Sequence, residues 1–201
     1  MNSRRIRNRK QAGFTLVELG IVLALIGIGL FFAISKINET NDSSKASSAA
    51  TDLSGIITNM KRLFATQGAF PPAGDPAYNA GTLRSNGVFP NTWANPAVLP
   101  ANAVGNIAAV IDPFSGNPTA GQSPLVAAGA AGPGDFAFIT LPAVPTRVCV
   151  ELGRLMTNGI TRMTVNNAVV QPQGGPLNIP LLGTNCGAAG TVPMQFEFGR
   201  S

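Results

Sequence analysis

The sequence has no histidine, one tryptophan, one tyrosine and two cysteines, and only 11% of its 201 residues are charged. Without histidine, a hydroxyl or thiol nucleophile lacks its usual base, and imidazole cannot serve as a metal ligand. There is no Gly-x-Ser-x-Gly elbow and no phosphate-cradling Gly-x-x-x-x-Gly-Lys-Ser/Thr loop; each is a signature that its chemistry requires. No carboxylate pair converges in the sequence, and Asp135 and Glu151 read as surface or capping residues. Nothing here supports an enzyme, and no cofactor is expected. Proline is also missing from residues 1–70, although the chain holds 16 prolines and 23 glycines in all. A long uninterrupted helix is therefore allowed at the amino-terminal end.

The overall excess of basic residues is misleading. Arg4, Arg5, Arg7, Arg9 and Lys10 lie in the first thirteen residues without an acid, leaving nine basic residues against nine acids in the remainder. A balanced remainder gives no general reason to expect an electrostatic nucleic-acid binder. The basic cluster instead flanks a long apolar run, and under the positive-inside rule that flank stays cytoplasmic while the remainder crosses. Residues 19–35 carry no charge. As a helix, 14–37 would reach ~36 Å, enough to cross a hydrocarbon core of ~30 Å. One acid, Glu18, stands at the head of this run. A carboxylate in hydrocarbon costs roughly 2.5–3.5 kcal/mol on insertion scales, so Glu18 reads as functional.

A short basic leader ending in Gly13, then Phe14, then Glu18 as the fifth residue from that phenylalanine, then a long apolar helix, resembles the class III signal of type IV pilins and pseudopilins. The resemblance implies cleavage between Gly13 and Phe14 by a membrane prepilin peptidase and N-methylation of Phe14. It makes Glu18 the assembly residue. A secretory signal peptide cut near Ala33-Ile34-Ser35 is the alternative, as is a simple membrane anchor. An ordinary apolar signal core runs ~7–15 residues, shorter than this stretch, and has no use for a glutamate at its head.

Beyond residue 42, apolar residues recur at Ala46, Ala49/Ala50, Leu53, Ile56/Ile57, Met60 and Leu63/Phe64, in alternating steps of three and four that form one helical stripe. Lys45, Asp52, Lys61 and Arg62 fall off it. The pattern predicts one helix over 14–66, apolar nearly all round in its first half and packed against a head in its second. Gly68 is the expected C-cap, with Pro71 and Pro72 beyond. Gly20, Gly27 and Gly29 suit close helix packing or, by resemblance, local unwinding in a filament. Many type IVa pilins have proline where this chain has Ser35, which weakens any expectation of a kink there.

Residues 71–134 read as loop-dominated, with short elements near Val88-Phe89, 106–111 and 125–128, and with Phe89, Trp93 and Phe114 folding onto the head. Residues 112–118 carry turn chemistry and are a weak calcium candidate. Further on, the pattern predicts a strand at 136–141, an amphipathic helix at 148–156 and a hairpin at 163–170 turning at Asn166-Asn167. In the final strand Val192, Met194, Phe196 and Phe198 share one face. Pro193 marks that strand as an edge, or as a strand beginning. The predicted fold class is α+β, a long amino-terminal helix packed on an antiparallel sheet.

Cys149 and Cys186 lie in the part placed outside the cytoplasm, where a disulfide is the default. A metal site is excluded by ligand count. The carboxyl-terminal region, with one cysteine opening a helix and one before a Gly-rich turn, resembles type IVb pilins. The short leader and Phe14 are more typical of type IVa.

The expected organisation is a cleaved leader at 1–13, a helix at 14–66 forming membrane anchor and filament core, and a disulfide-closed head at 67–201. The resemblance implies a homopolymer, a type IV pilus subunit of the type IVb-like major class, with prepilin peptidase, the inner-membrane assembly machinery and, before assembly, membrane lipid as partners. The precursor would sit in the inner membrane with its head in the periplasm, and the assembled pilus would be extracellular, serving adhesion, aggregation, motility or conjugation. A host receptor or DNA is a further partner whose surface the sequence does not locate. The alternative is a type II secretion pseudopilin, or a minor pilin that primes assembly. Glu18 would pair with the Phe14 amine of a neighbouring subunit; otherwise it complements the positive end of its own helix.

Overall fold

The computed structural model describes residues 16–125, 134–187 and 190–200, and the backbone alone at 31–39 and Pro100. The chain divides into two compact units, Met1–Asn41 and Asp42–Ser201. Helix α1, Leu16–Leu63, supplies the described part of the first and opens the second. Lys61 and Arg62 in its last turn and Glu18 in its first complement the helix dipole. Thr51, Ser54 and Thr58 return their hydroxyl hydrogens to carbonyls four residues back, at 2.9–3.0 Å, so polar side chains off the stripe are satisfied within the helix.

In the second unit, the stripe from Ala46 to Phe64 is buried as its periodicity requires, with Leu63 at its margin. It shares one core with a five-stranded antiparallel sheet: β1 (Thr119–Gln122), β2 (Phe136–Pro145), β3 (Arg162–Val165), β4 (Ala168–Gln171) and β5 (Thr191–Gly199), ordered β1-β2-β5-β3-β4. Ile139, Leu141, Met163, Val165, Met194, Phe196 and Phe198 all belong to that core. Phe70 meets Phe198 edge to face at 6.0 Å and Phe64 at 5.9 Å, joining the residues beyond α1 to the sheet.

Strand β5 is central, which corrects the edge reading of Pro193 while keeping the strand-beginning one. Opposite it, β2 advances three residues, from Leu141 to Val144, while β5 advances two, from Met194 to Val192. The Pro193 carbonyl accepts from the Asn166 N–H at 2.9 Å, on the β3 side. The N and O of one residue face the same neighbour in an antiparallel ladder, so the N–H that proline lacks would point to Asn166, just past the end of β3 at Val165, where the ladder gives way to the turn. Asn166 and Asn167 both have positive φ, 48° and 64°, the pairing a tight hairpin turn between β3 and β4 requires.

The helix exit also differs from expectation. Gly68 is absent from the positive-φ glycines, so the chain does not leave α1 through a left-handed cap. Ala65 and Gln67 instead donate to the carbonyls three residues back, at 3.3 and 3.1 Å. The carbonyls of Gln67 and Gly68 accept from the Arg200 guanidinium, and the Phe70 N–H donates to the Gly134 carbonyl at 2.7 Å. Local bonds thus close the last turn of the helix, and tertiary partners hold the residues just beyond it.

Between α1 and β2 the chain forms 3-10 turns at Pro76–Tyr78, Asn91–Trp93, Pro100–Asn102 and Ile107–Ala109, a short helix α2 (Ala80–Ser85) and strand β1. The element expected at 106–111 corresponds to the turn at Ile107–Ala109, whereas Val88 and Phe89 belong to none. They are buried irregular chain, held by the Asn59 amide donating to the Gly87 carbonyl at 3.3 Å. The element expected at 125–128 falls mostly outside the described residues. Helix α3 (Thr146–Leu155) is where the amphipathic pattern placed a helix. Helix α4 (Ile179–Cys186) was not anticipated, yet Asn178 caps it, accepting from the Leu181 N–H at 3.0 Å, and Pro180 sits in its first turn.

Candidate functional site

Two sets of residues are candidates for function: the start of α1, and the groups that staple the head. The proposed cleavage and methylation positions, Gly13 and Phe14, lie outside the described residues. Glu18 occupies the first turn of α1. Around it the large apolar side chains of 16–30 are exposed, from 45% at Val22 to 88% at Leu16. Among the described residues, no helix is long and apolar enough to cross a membrane. The stretch 14–37 read from the sequence includes Phe14, Thr15 and the side chains of 31–37, which lie outside that description. What the described part does present is a helix with apolar surface on every side and one carboxylate.

In the head, Cys149 of α3 and Cys186 of α4 form a disulfide with Cα atoms 5.7 Å apart. Gly153 allows the two helices to meet: a Cβ there would lie 2.9 Å from the Leu182 Cδ2 atom. On the face of β5 opposite the phenylalanines, Glu197 is fully buried. It accepts two hydrogen bonds from the Arg162 guanidinium, each 2.6 Å, and a third from the Gln195 amide at 2.9 Å. This bidentate pair ties β3 to β5. Alternation along β5 places Glu197 on the face away from Phe196 and Phe198, and only the register of Arg162 against Glu197 reveals the pair. Similarly, Asp52, off the helical stripe, accepts from the Trp93 indole N–H at 2.7 Å. Residues 41 apart in sequence carry no local signal of such a bond.

Residues 112–118 form a turn built on Asp112. Its Oδ1 atom accepts from the N–H groups of Phe114 and Gly116, both at 2.8 Å, and Ser115 takes a positive φ of 68°. Burial pushes the Asp112 carboxyl above its ordinary range, and the two backbone bonds partly offset that rise. Tyr78 is raised in the same direction, by burial first and by the Asp75 charge second. Among the described residues, no three His, Cys, Asp or Glu side chains are grouped to hold a metal ion. Asp135 and Glu151 are not brought together as partners: the Asp135 carbonyl accepts from the Arg200 N–H, and Glu151 lies half-buried on α3.

A family model described as PilS N terminal matches residues 43–196, most of the chain. The chain belongs to the PilS N-terminal family. A second model, the prokaryotic N-terminal methylation motif, matches residues 8–34 and so covers the Gly13-Phe14 junction and Glu18. The solved structure of TcpA, a type IV pilin from Vibrio cholerae El Tor biotype, is similar over 77% of this chain and 98% of that one, with a TM-score of 0.51 and 15% identity. Among curated proteins, none matches. This PilS-family chain thus has the type IV pilin fold, α+β with an antiparallel sheet, and it is a pilin-type subunit. Both the family and the fold are structural rather than enzymatic.

Proposed function

We propose that this chain is the subunit of a type IV pilus, made as a precursor, trimmed between Gly13 and Phe14, methylated at Phe14 and polymerised through its amino-terminal helix. The carrying observation is the juxtaposition of a methylation-motif match over residues 8–34, opening in the basic leader, and a helix whose apolar side chains at 16–30 are exposed all round. Such a surface is stable in lipid before assembly and against other copies afterwards. The parts are the leader 1–13, the helix 14–66 and the head 67–201. Prepilin peptidase and the inner-membrane assembly machinery are the partners, and the product is extracellular.

Cleavage creates an amine at Phe14, about one helical turn from Glu18. In a dry filament core a carboxylate pairs with a neighbour's amine, and removing one partner of such a pair costs ~3–5 kcal/mol. Registry is the gain. The disulfide and the long head support a bulk pilin of type IVb-like class over a type II secretion pseudopilin. The test compares Glu18→Ala with wild type by sheared-filament yield beside a blot of processed protein. Normal processing with sparse filaments is expected, and mass analysis of sheared material should place the amino terminus at methylated Phe14. Normal filament yield from the variant alone would reject the pairing role, and an intact leader in sheared material would reject the processing scheme. Processed protein that never enters surface filaments would favour the pseudopilin reading.

A further inference from the structure

Asparagine followed by glycine occurs twice in the chain, at Asn86-Gly87 and Asn158-Gly159. In such a pair the glycine nitrogen attacks the asparagine Cγ atom, because no Cβ on the following residue hinders the approach. The Cγ–Nδ2 bond breaks, ammonia leaves, and a five-membered succinimide forms. Water then opens the ring at either carbonyl, giving aspartate or isoaspartate. Two requirements are local. The glycine N–H must be available to lose its proton, and the asparagine side chain must be able to turn toward it.

The structure separates the two pairs on both requirements. At the first, the Gly87 N–H donates to the Arg84 carbonyl at 2.9 Å, and the Asn86 amide donates to the Thr82 carbonyl at 3.0 Å. The Asn86 N–H also bonds to Thr82, at 3.1 Å, so the pair closes the end of α2 with nucleophile and electrophile both held. At the second, neither the Asn158 carboxamide nor the Gly159 N–H makes a hydrogen bond to any described residue. Both residues are exposed in the bend between α3 and β3, and Gly159 has φ 131°, a conformation open to glycine alone.

We propose that Asn158 is a site of spontaneous deamidation in the folded protein and that Asn86 is protected. Each event adds one negative charge to the head, two residues beyond the C-cap of α3, Met156. Negative charge is disfavoured at that end of a helix. The isoaspartate product also lengthens the backbone between α3, which carries Cys149, and β3, which carries Arg162. Because the reaction needs only water and time, the modified fraction records the age of a subunit.

The full chain, solubilised in detergent, would be held in mildly alkaline buffer at body temperature, sampled over days and digested with trypsin under mildly acidic conditions that halt the reaction. Trypsin releases residues 155–162, between Arg154 and Arg162, as a peptide containing Asn158 alone of the two sites. That peptide should gain about 1 Da and split into two chromatographic species, aspartyl and isoaspartyl. The peptide containing Asn86 should change at least tenfold more slowly in the folded chain, and at a similar rate to 155–162 once the chain is unfolded in urea. Asn158→Gln should abolish the change in 155–162. An unchanged 155–162 peptide, or equal rates at the two sites in the folded chain, would overturn the proposal. Persistent protection of Asn86 in urea would overturn it as well, because the folded structure would then not be the cause.

Discussion

The two halves of α1 use the same kinds of side chain to opposite ends. From Leu16 to Leu30 the large apolar residues are exposed on every side, whereas from Ala46 to Phe64 they are confined to a stripe and nowhere in it, apart from Leu63, exceed 8% exposure. Ser, Thr, Asn and charged residues, with Gly55, fill the rest of the second half, as suits a helix with one covered face and one wet one. The first half has no wet face. The contrast shows that hydrophobicity alone does not tell how a helix is covered. Its angular distribution does, separating a segment buried by its own chain from one whose cover lies elsewhere.

The largest expected effect tests that contrast directly. Leu53→Ala, in the buried stripe, should lower head stability by ~2–5 kcal/mol through lost burial and an unfilled cavity. Leu23→Ala, in the exposed half, should leave the urea midpoint of the head unchanged and instead lower retention in detergent micelles or filaments. Equal effects of both on the urea midpoint would erase the distinction between the halves.

A smaller effect of similar kind is expected at the disulfide. Cys149→Ser with Cys186→Ser opens a loop spanning 37 residues and should lower stability by ~3–4 kcal/mol in the chain-entropy model. The head should soften while insertion of the amino-terminal helix is unaffected. Chemical denaturation beside membrane fractionation checks both, and loss of insertion would show that the halves are not independent.

The smallest effect concerns Asp112. Its folded carboxyl is raised by burial, so the folded state holds a proton over a pH range in which the unfolded chain has already released it. Stability from this group is therefore highest below the ordinary carboxylate range and declines as pH rises through the raised value. Asp112→Asn keeps the oxygen that accepts from Phe114 and Gly116. It should flatten this part of the pH profile and raise neutral-pH stability by at most ~1 kcal/mol. Thermal melts from acid to neutral pH measure it, and a steeper profile in the variant would reverse the sign.

What the sequence revealed follows from how local each signal is. The α1 stripe, the amphipathic α3, the Asn166-Asn167 turn and the alternation of β5 are short-range periodicities, and each could be read directly. Strand order was not, because the fact that β3 ends just short of Pro193, which lets a proline sit in a central strand, depends on pairing between segments distant in the sequence. Helix α4 was legible in the Asn178 cap and Pro180, but the Gly-rich setting of Cys186 masked it. The Trp93–Asp52 and Arg162–Glu197 bonds join residues 41 and 35 positions apart, and no spacing rule reaches that far. Of the candidate site, Glu18 was visible because a charge in an apolar run is conspicuous without any tertiary context.

The central place of β5 also sets an order of events. Strands β2 and β3 are not neighbours in the sheet; each pairs with β5, which follows both along the chain. Without residues 191–199 the sheet has only two separate pairs, β1 with β2 and β3 with β4, each with an edge left unpaired where β5 belongs. Cys149 and Cys186 both precede β5, so oxidation can set the spacing of α3 and α4 before the last strand inserts. Closing the sheet therefore requires β5 to enter between the edges of β2 and β3, and both pairings it makes are long-range ones, the kind that is slow to form.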